Sequence, residues 1–241
     1  MIDAIVIIPT YNEAENIEAI IRAVFSLDTP FHILVVDDNS PDGTSEIVKN
    51  LQHEYADSLF LEIRKAKSGL GTAYIHGFKW CLDKGYDFIF EMDADFSHNP
   101  KDLPRLYATC KNTPADVVIG SRYIKGVNVV NWPIGRVILS YMASKYVRLI
   151  TGMSIHDTTA GFVCYRRKVL EALNLDEIKF IGYAFQIEMK FKAHQKKFKI
   201  VEIPIVFTDR LRGESKLSKS IISEAVFGVI KMKYTSFFNK E

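Results

Sequence analysis

The sequence predicts an α/β fold on a mostly parallel central sheet, and three observations predict it. Short β-branched runs alternate with helical patterns from the N-terminus to about Gly120. The runs are apolar along their length, as strands covered by helices on both faces must be. A polar cluster follows most of them, where the chain would turn.

Residues 4–8, from Ala4 to Ile8, are the first continuous apolar run. Residues 15–27 carry Ile17, Ile20, Ile21 and Val24 at helical spacing. Residues 33–36 give the second buried strand. The turn-rich Ser40-Pro41-Asp42-Gly43 segment precedes Thr44, which can cap a helix running to about Tyr55. A third strand is expected over 59–63, a helix over 72–82, a fourth strand over 88–92, a helix around 103–110 and a fifth strand over 117–119. This β-α-β-α order implies right-handed crossovers. Beyond Gly120 the alternation fades. Helices are expected over 134–150, near 185–193 and over 218–238, with strands over 162–165 and 201–207. No repeat, low-complexity tract or linker interrupts the chain, so one domain over 1–241 is the expectation.

Composition narrows the class. With 31 Lys plus Arg against 29 Asp plus Glu, the net charge is +2, which argues against a dedicated nucleic-acid binder. Cys81, Cys110 and Cys164 are scattered and form no CxxC pair, as expected of reduced thiols in a cytosolic protein. No secretory signal is expected, because the first apolar run ends at Pro9. No apolar segment approaches the ~20 residues that cross a bilayer. The expectation is a chain that is soluble or lies on a membrane.

In open parallel sheets ligands bind beyond the carboxyl ends of strands. Four polar clusters fall there: Pro9-Thr10-Tyr11-Asn12-Glu13, Asp37-Asp38-Asn39-Ser40, Asp93-Ala94-Asp95-Phe96-Ser97 and Ser121-Arg122-Tyr123. Asp93 and Asp95, one residue apart at a strand end, can converge on one hard cation such as Mg²⁺, which favours oxygen ligands and shares its shell with phosphates. A departing diphosphate needs such a cation. Tyr11 could offer a stacking surface, and Glu13 or Asp38 an acceptor for base or ribose groups. Gly69-Leu70-Gly71 reads as a tight turn rather than a phosphate loop, and His98, beside the acidic motif, as structural.

The four segments Pro9 to Glu13, Val36-Asp37-Asp38-Asn39-Ser40-Pro41-Asp42-Gly43-Thr44, Gly69-Leu70-Gly71-Thr72-Ala73 and Met92-Asp93-Ala94-Asp95, in this order, resemble family 2 of the glycosyltransferases. Within that family the chain resembles the dolichyl-phosphate (polyprenyl-phosphate) mannosyltransferases. The resemblance implies a Rossmann-like A-type glycosyltransferase domain, with residues 1–121 as the nucleotide-sugar half and 122–241 as the acceptor half. It implies GDP-mannose as donor, a polyprenyl phosphate as acceptor, and Mg²⁺ or Mn²⁺. Pro9, Tyr11, Glu13, Val36, Asp38, Asp93, Ala94 and Asp95 match the family's nucleotide-sugar positions. Asp93, Asp95 and Ser97 match its metal positions. Arg122, Arg136 and Ser140 match its acceptor-phosphate site, where Arg suits phosphate because its planar fork donates bidentate hydrogen bonds. Arg210 and Lys216, in the late basic loop 210–216, match residues that close over the diphosphate. The segment 157–162 resembles one near the acceptor side.

An acceptor phosphate is already anionic, so no strong general base is needed, and a single inverting displacement is expected, with Asp95, Arg122 and Arg136 at its centre. Residues 134–150 and 218–238 mix apolar and basic side chains as interfacial helices do, or as helices packed on their own core do. The expected localisation is cytoplasmic, peripheral on the cytoplasmic face of a membrane. A separate membrane-anchoring subunit is compatible with this reading. Two alternatives stay open: a UDP-sugar donor carrying glucose or N-acetylglucosamine, and a catalytically silent lipid-binding subunit.

Overall fold

The computed structural model describes residues 2–182, 184–209 and 227–235. In chain order the elements are β1 (Ala4–Thr10), α1 (Ile17–Phe25), β2 (His32–Asp37), α2 (Thr44–Gln52), β3 (Leu59–Ile63), α3 (Leu70–Lys84), β4 (Phe88–Glu91), α4 (Leu103–Asn112), β5 (Val117–Ser121), β6 (Val129–Val130), α5 (Ile134–Thr151), β7 (Val163–Arg166), α6 (Arg167–Ala172), α7 (Ala184–Gln195), β8 (Ile200–Pro204) and β9 (Phe207–Thr208). Residues 227–235 are helical, within the expected terminal helix; the rest of that helix lies outside the described residues.

Seven strands form one sheet in the order β3-β2-β1-β4-β7-β5-β8. All its pairings are parallel except those of β7, which runs antiparallel to both neighbours, β4 and β5. Side chains alternate across the sheet as the pleat requires. Ile5, Ile7, Leu34, Val36 and Ile89 face α3 and α7, whereas Val6, Ile8, Ile33, Val35 and Phe90 face α1, α2 and α4. Both faces are therefore dry, which explains the unbroken apolar runs. The three cysteines are free and buried.

The expected strand over 201–207 is two strands. β8 ends at Pro204, with Ile205 N still donating to Ser121 O of β5. The chain then leaves the main sheet, and β9 pairs with β6 in a separate two-stranded ribbon. That ribbon sits where the site is built.

The strand order reverses between β1 and β4: the chain builds β1 to β3 outward on one side and returns to place β4 on the other. This is the switch point at which open sheets leave a crevice at their carboxyl edge.

Candidate active site

The loops after β1 and β2 are sewn into one rim. Asp37, at the end of β2, accepts from Thr10 Oγ1 (2.7 Å), Ser40 Oγ (2.6 Å) and Ser40 N (2.8 Å). Ser40 Oγ accepts from Asn12 N, Thr44 Oγ1 from Glu13 N, and Asp42 Oδ2 from Ala14 N, each at 3.0 Å. Backbone N–H groups of the first loop are thus satisfied by side chains of the second. Asn12, Asn39 and Phe96 take left-handed backbone conformations in the loops after β1, β2 and β4 (φ 59°, 58° and 59°). Asn tolerates this; the bulky Phe96 does so at a cost, a pattern typical of functional loops.

The nucleotide-type positions fall on this rim in different ways. Tyr11 is half-buried, with Lys67 Nζ 4.2 Å from its ring centroid. Asp38 is buried against Arg64 Nε at 3.3 Å. Burial pushes its carboxyl up, and the Arg64 charge opposes that shift. Pro9 is part of β1, half-buried. The side chain of Val36 is fully buried in the core, and Ala94 is packed on the opposite face. Gly71 lies so close to the 180–181 segment that a Cβ would sit 2.8 Å from Phe180 O and from the Phe185 ring, and its N–H donates to Ile181 O. The Gly-Leu-Gly turn therefore serves a close backbone approach.

The acidic loop leaves β4 directly. The Asp93 side chain is 38% exposed, whereas Asp95 is buried and its Oδ1 accepts from Ser97 N at 3.0 Å. Two carboxylate oxygens from one turn form a hard donor set suited to Mg²⁺ or Mn²⁺ when phosphate oxygens and water complete the shell. Among the described residues no group of three or more His, Cys, Asp or Glu gathers as a metal site. Ser97 is buried and supports Asp95 through its N–H. His98 accepts from Asp93 N through Nδ1 (3.4 Å) and stacks on Phe162. Burial lowers its pKa to about 4, so the ring is neutral near pH 7.

The acceptor-type positions also come together. Arg122, at the end of β5, donates to Asp157 through its backbone N (2.9 Å), Nε (2.7 Å) and Nη2 (2.6 Å), and to Thr159 Oγ1 (2.9 Å). This charge pair is buried, and the Arg122 charge and its hydrogen bonds hold Asp157 below the usual carboxylate range against the opposing effect of burial. Arg136, on the first turn of α5, pairs with Asp209 (2.9 Å) and lies 4.1 Å from the Trp132 ring centroid, while Arg122 lies 5.5 Å from the same ring. One indole therefore carries both arginines. Ser140, one turn beyond Arg136, accepts from Tyr123 Oη at 2.8 Å. Phe207 of β9 packs against His98, Trp132 and the Arg122 guanidinium, and Thr208 N donates to Ser97 O. The short ribbon thereby joins the acidic loop to the arginine cluster. Arg210 and Lys216 lie outside the described residues.

Asp209, Trp132, Arg64 and Lys67 carry no signal in the sequence that marks them as site residues, and Asp157 is marked only through the resemblance of the 157–162 segment.

Fold and site together define a sugar transferase of the A-type class. The family description "Glycosyl transferase family 2" matches residues 5–173, and the chain belongs to this family. It is 47% identical over 225 residues to a polyprenol monophosphomannose synthase of Mycolicibacterium smegmatis, covering 93% of this chain and 84% of that protein. It is 44% identical to an undecaprenyl-phosphate mannosyltransferase of Micrococcus luteus, covering 93% and 91%. Among solved structures, glucosyl-3-phosphoglycerate synthase of Mycobacterium tuberculosis, in complex with Mn²⁺, UDP and glucosyl-3-phosphoglycerate, superposes with a TM-score of 0.66 at 17% identity over 97% of this chain and 79% of that one. That likeness concerns the fold. The chain is a glycosyltransferase.

Proposed function

We propose that this enzyme transfers mannose from GDP-mannose to a polyprenyl phosphate, giving the lipid-linked sugar and GDP. The observation that carries the reading is the approach of two unlike charge groups across one short ribbon. His98 lies 3.8 Å from Asp93 and packs on Phe207, whose ring meets Arg122 and also Trp132, the ring under Arg136. A phosphate-terminated acceptor and a diphosphate-linked donor need that opposition. The two mannosyl-transferring relatives, matched over nearly the whole chain, support the sugar and the lipid.

Tyr11, Glu13 and Asp38 would receive the nucleoside, and Pro9, Val36 and Ala94 would line it through backbone. Asp93 and Asp95, with Ser97 behind them, would hold Mg²⁺ or Mn²⁺, which when bound neutralises charge on the diphosphate. Arg210 and Lys216 would close over the same diphosphate. Arg122 and Arg136, with Ser140, would orient the acceptor phosphate for in-line attack on the anomeric carbon, with inversion. The phosphate oxygen is already anionic, so positioning and charge stabilisation supply the catalysis.

The enzyme must also reach a lipid. Helix α5 exposes Ile134, Ile138, Leu139, Met142 and Leu149 among Arg136, Lys145 and Arg148, the composition of a helix lying in a membrane interface. No described helix is long and apolar enough to cross a membrane. We place the protein peripherally on the cytoplasmic face, with residues 1–121 as the donor half and 122–241 as the acceptor half of one domain.

The test is Asp95→Ala assayed with saturating Mg²⁺ or Mn²⁺. Transfer should fall by at least about 100-fold with the circular dichroism spectrum retained. Undiminished transfer would remove the assignment.

A further inference from the structure

Glu91 is fully buried at the end of β4, two residues before Asp93; burial pushes its carboxyl up to about 8, and the Lys190 charge and a Gln186 hydrogen bond oppose that shift. The positive charge acting on it most strongly is Lys190 of α7, whose side chain is itself fully buried. Lys190 Nζ donates to Ala160 O at 2.6 Å, Gln186 O at 3.1 Å and Gln186 Oε1 at 3.2 Å. The ammonium also senses Asp157 and Arg122. The buried hydroxyls of Tyr74 and Tyr165, without partners among the described residues, sense the charge of Glu91.

Two paths leave this cluster. Along β4 it reaches Asp93 and Asp95. Through Ala160 it reaches Thr159 and Asp157, which hold Arg122. The three Lys190 bonds tie α7 to the segment that holds Arg122, and so fix where that segment sits.

We propose that Lys190 is a positioning residue: by donating from its buried Nζ to Ala160 O, it fixes the 157–160 segment and with it Arg122 relative to the Asp93–Asp95 loop. This rests on the reading of Arg122 as the acceptor-phosphate ligand.

The deciding variant is Glu91→Gln/Lys190→Met, which removes both ionisable groups together and leaves neither buried without the other. The expected result is a melting temperature within about 3 °C of wild type, a donor KM within about twofold, and kcat/KM for polyprenyl phosphate lowered by about 100-fold, since nothing then donates to Ala160 O. A residue serving stability alone would not split donor from acceptor kinetics. Wild-type acceptor kinetics in the double variant overturns the proposal, and so does an equal loss for donor and acceptor. Should the double variant fail to fold, Lys190→Arg is compared with Lys190→Met per mole of folded enzyme. Arg keeps the charge and the donor, so it should recover at least about tenfold of the acceptor kcat/KM that Met loses; equal losses overturn the proposal. A wild-type protein that transfers nothing to polyprenyl phosphate contradicts the functional reading instead, and the same variants are then measured on the donor and acceptor it does turn over.

Discussion

Replacing Asp157 by Asn tests how the acceptor side is held. Asp157 is fully buried and receives three hydrogen bonds from Arg122, whose side chain is 10% exposed. Removing one partner of such a pair costs about 3–5 kcal/mol, because the remaining charge stays in a dry site. Asn keeps one acceptor oxygen, so we take about 3 kcal/mol. For a chain of this length that lowers the melting temperature by about 6–12 °C. The pH dependence has a definite sign. Asp157 in the folded protein is held below the ordinary carboxylate range, so its contribution is present above the unfolded pKa of about 3.9 and is lost as pH falls through the folded value. The penalty of Asp157→Asn is therefore full at pH 7 and shrinks below about pH 4. Calorimetry of both proteins between pH 3 and pH 8 provides the measurement. A shift under about 2 °C at pH 7, or a penalty that grows on acidification, would refute the reasoning.

Other outcomes follow from the same geometry. Arg136→Ala removes a guanidinium stacked on Trp132 and should raise the acceptor KM about 10–100-fold while leaving the donor KM within twofold, as steady-state kinetics would reveal. Gly71→Ala puts a Cβ 2.8 Å from a backbone carbonyl and an aromatic ring, so it should destabilise by about 1–3 kcal/mol in a denaturant titration. Changing Ile138, Leu139 and Met142 together to Gln removes about 1 kcal/mol of interfacial burial each. Binding to anionic vesicles in a flotation assay should then weaken by on the order of 100-fold, with the melting temperature unchanged.

The first half of the fold could be read from the chain because parallel strands covered on both faces leave unbroken apolar runs, as in Ala4–Thr10 and His32–Asp37. The polar residues that follow them then mark the site edge. The second half was less legible for definite reasons. β7 has the same apolar character as its parallel neighbours, and nothing in Val163–Arg166 encodes its reversed direction. β6 and β9 are two residues each, too short to show a period. Helix α6 is a single short stretch and was not anticipated. In the site, Asp93, Asp95, Arg122 and Arg136 declare themselves by residue type and place. Their partners do not. Asp157 lies 35 residues from Arg122 and Asp209 lies 73 from Arg136, and only the folded chain joins them. Lys190 sits in a helix buried on every side over residues 184–191, so no polar face singles it out.

The most direct measurement is mass spectrometry of the lipid product when purified protein, Mg²⁺ and a polyprenyl phosphate are offered GDP-mannose or UDP-sugars in parallel. The expected result is one hexose added to the lipid phosphate from GDP-mannose. A hexose arriving only from a UDP donor, or on an acceptor other than the lipid phosphate, would contradict it.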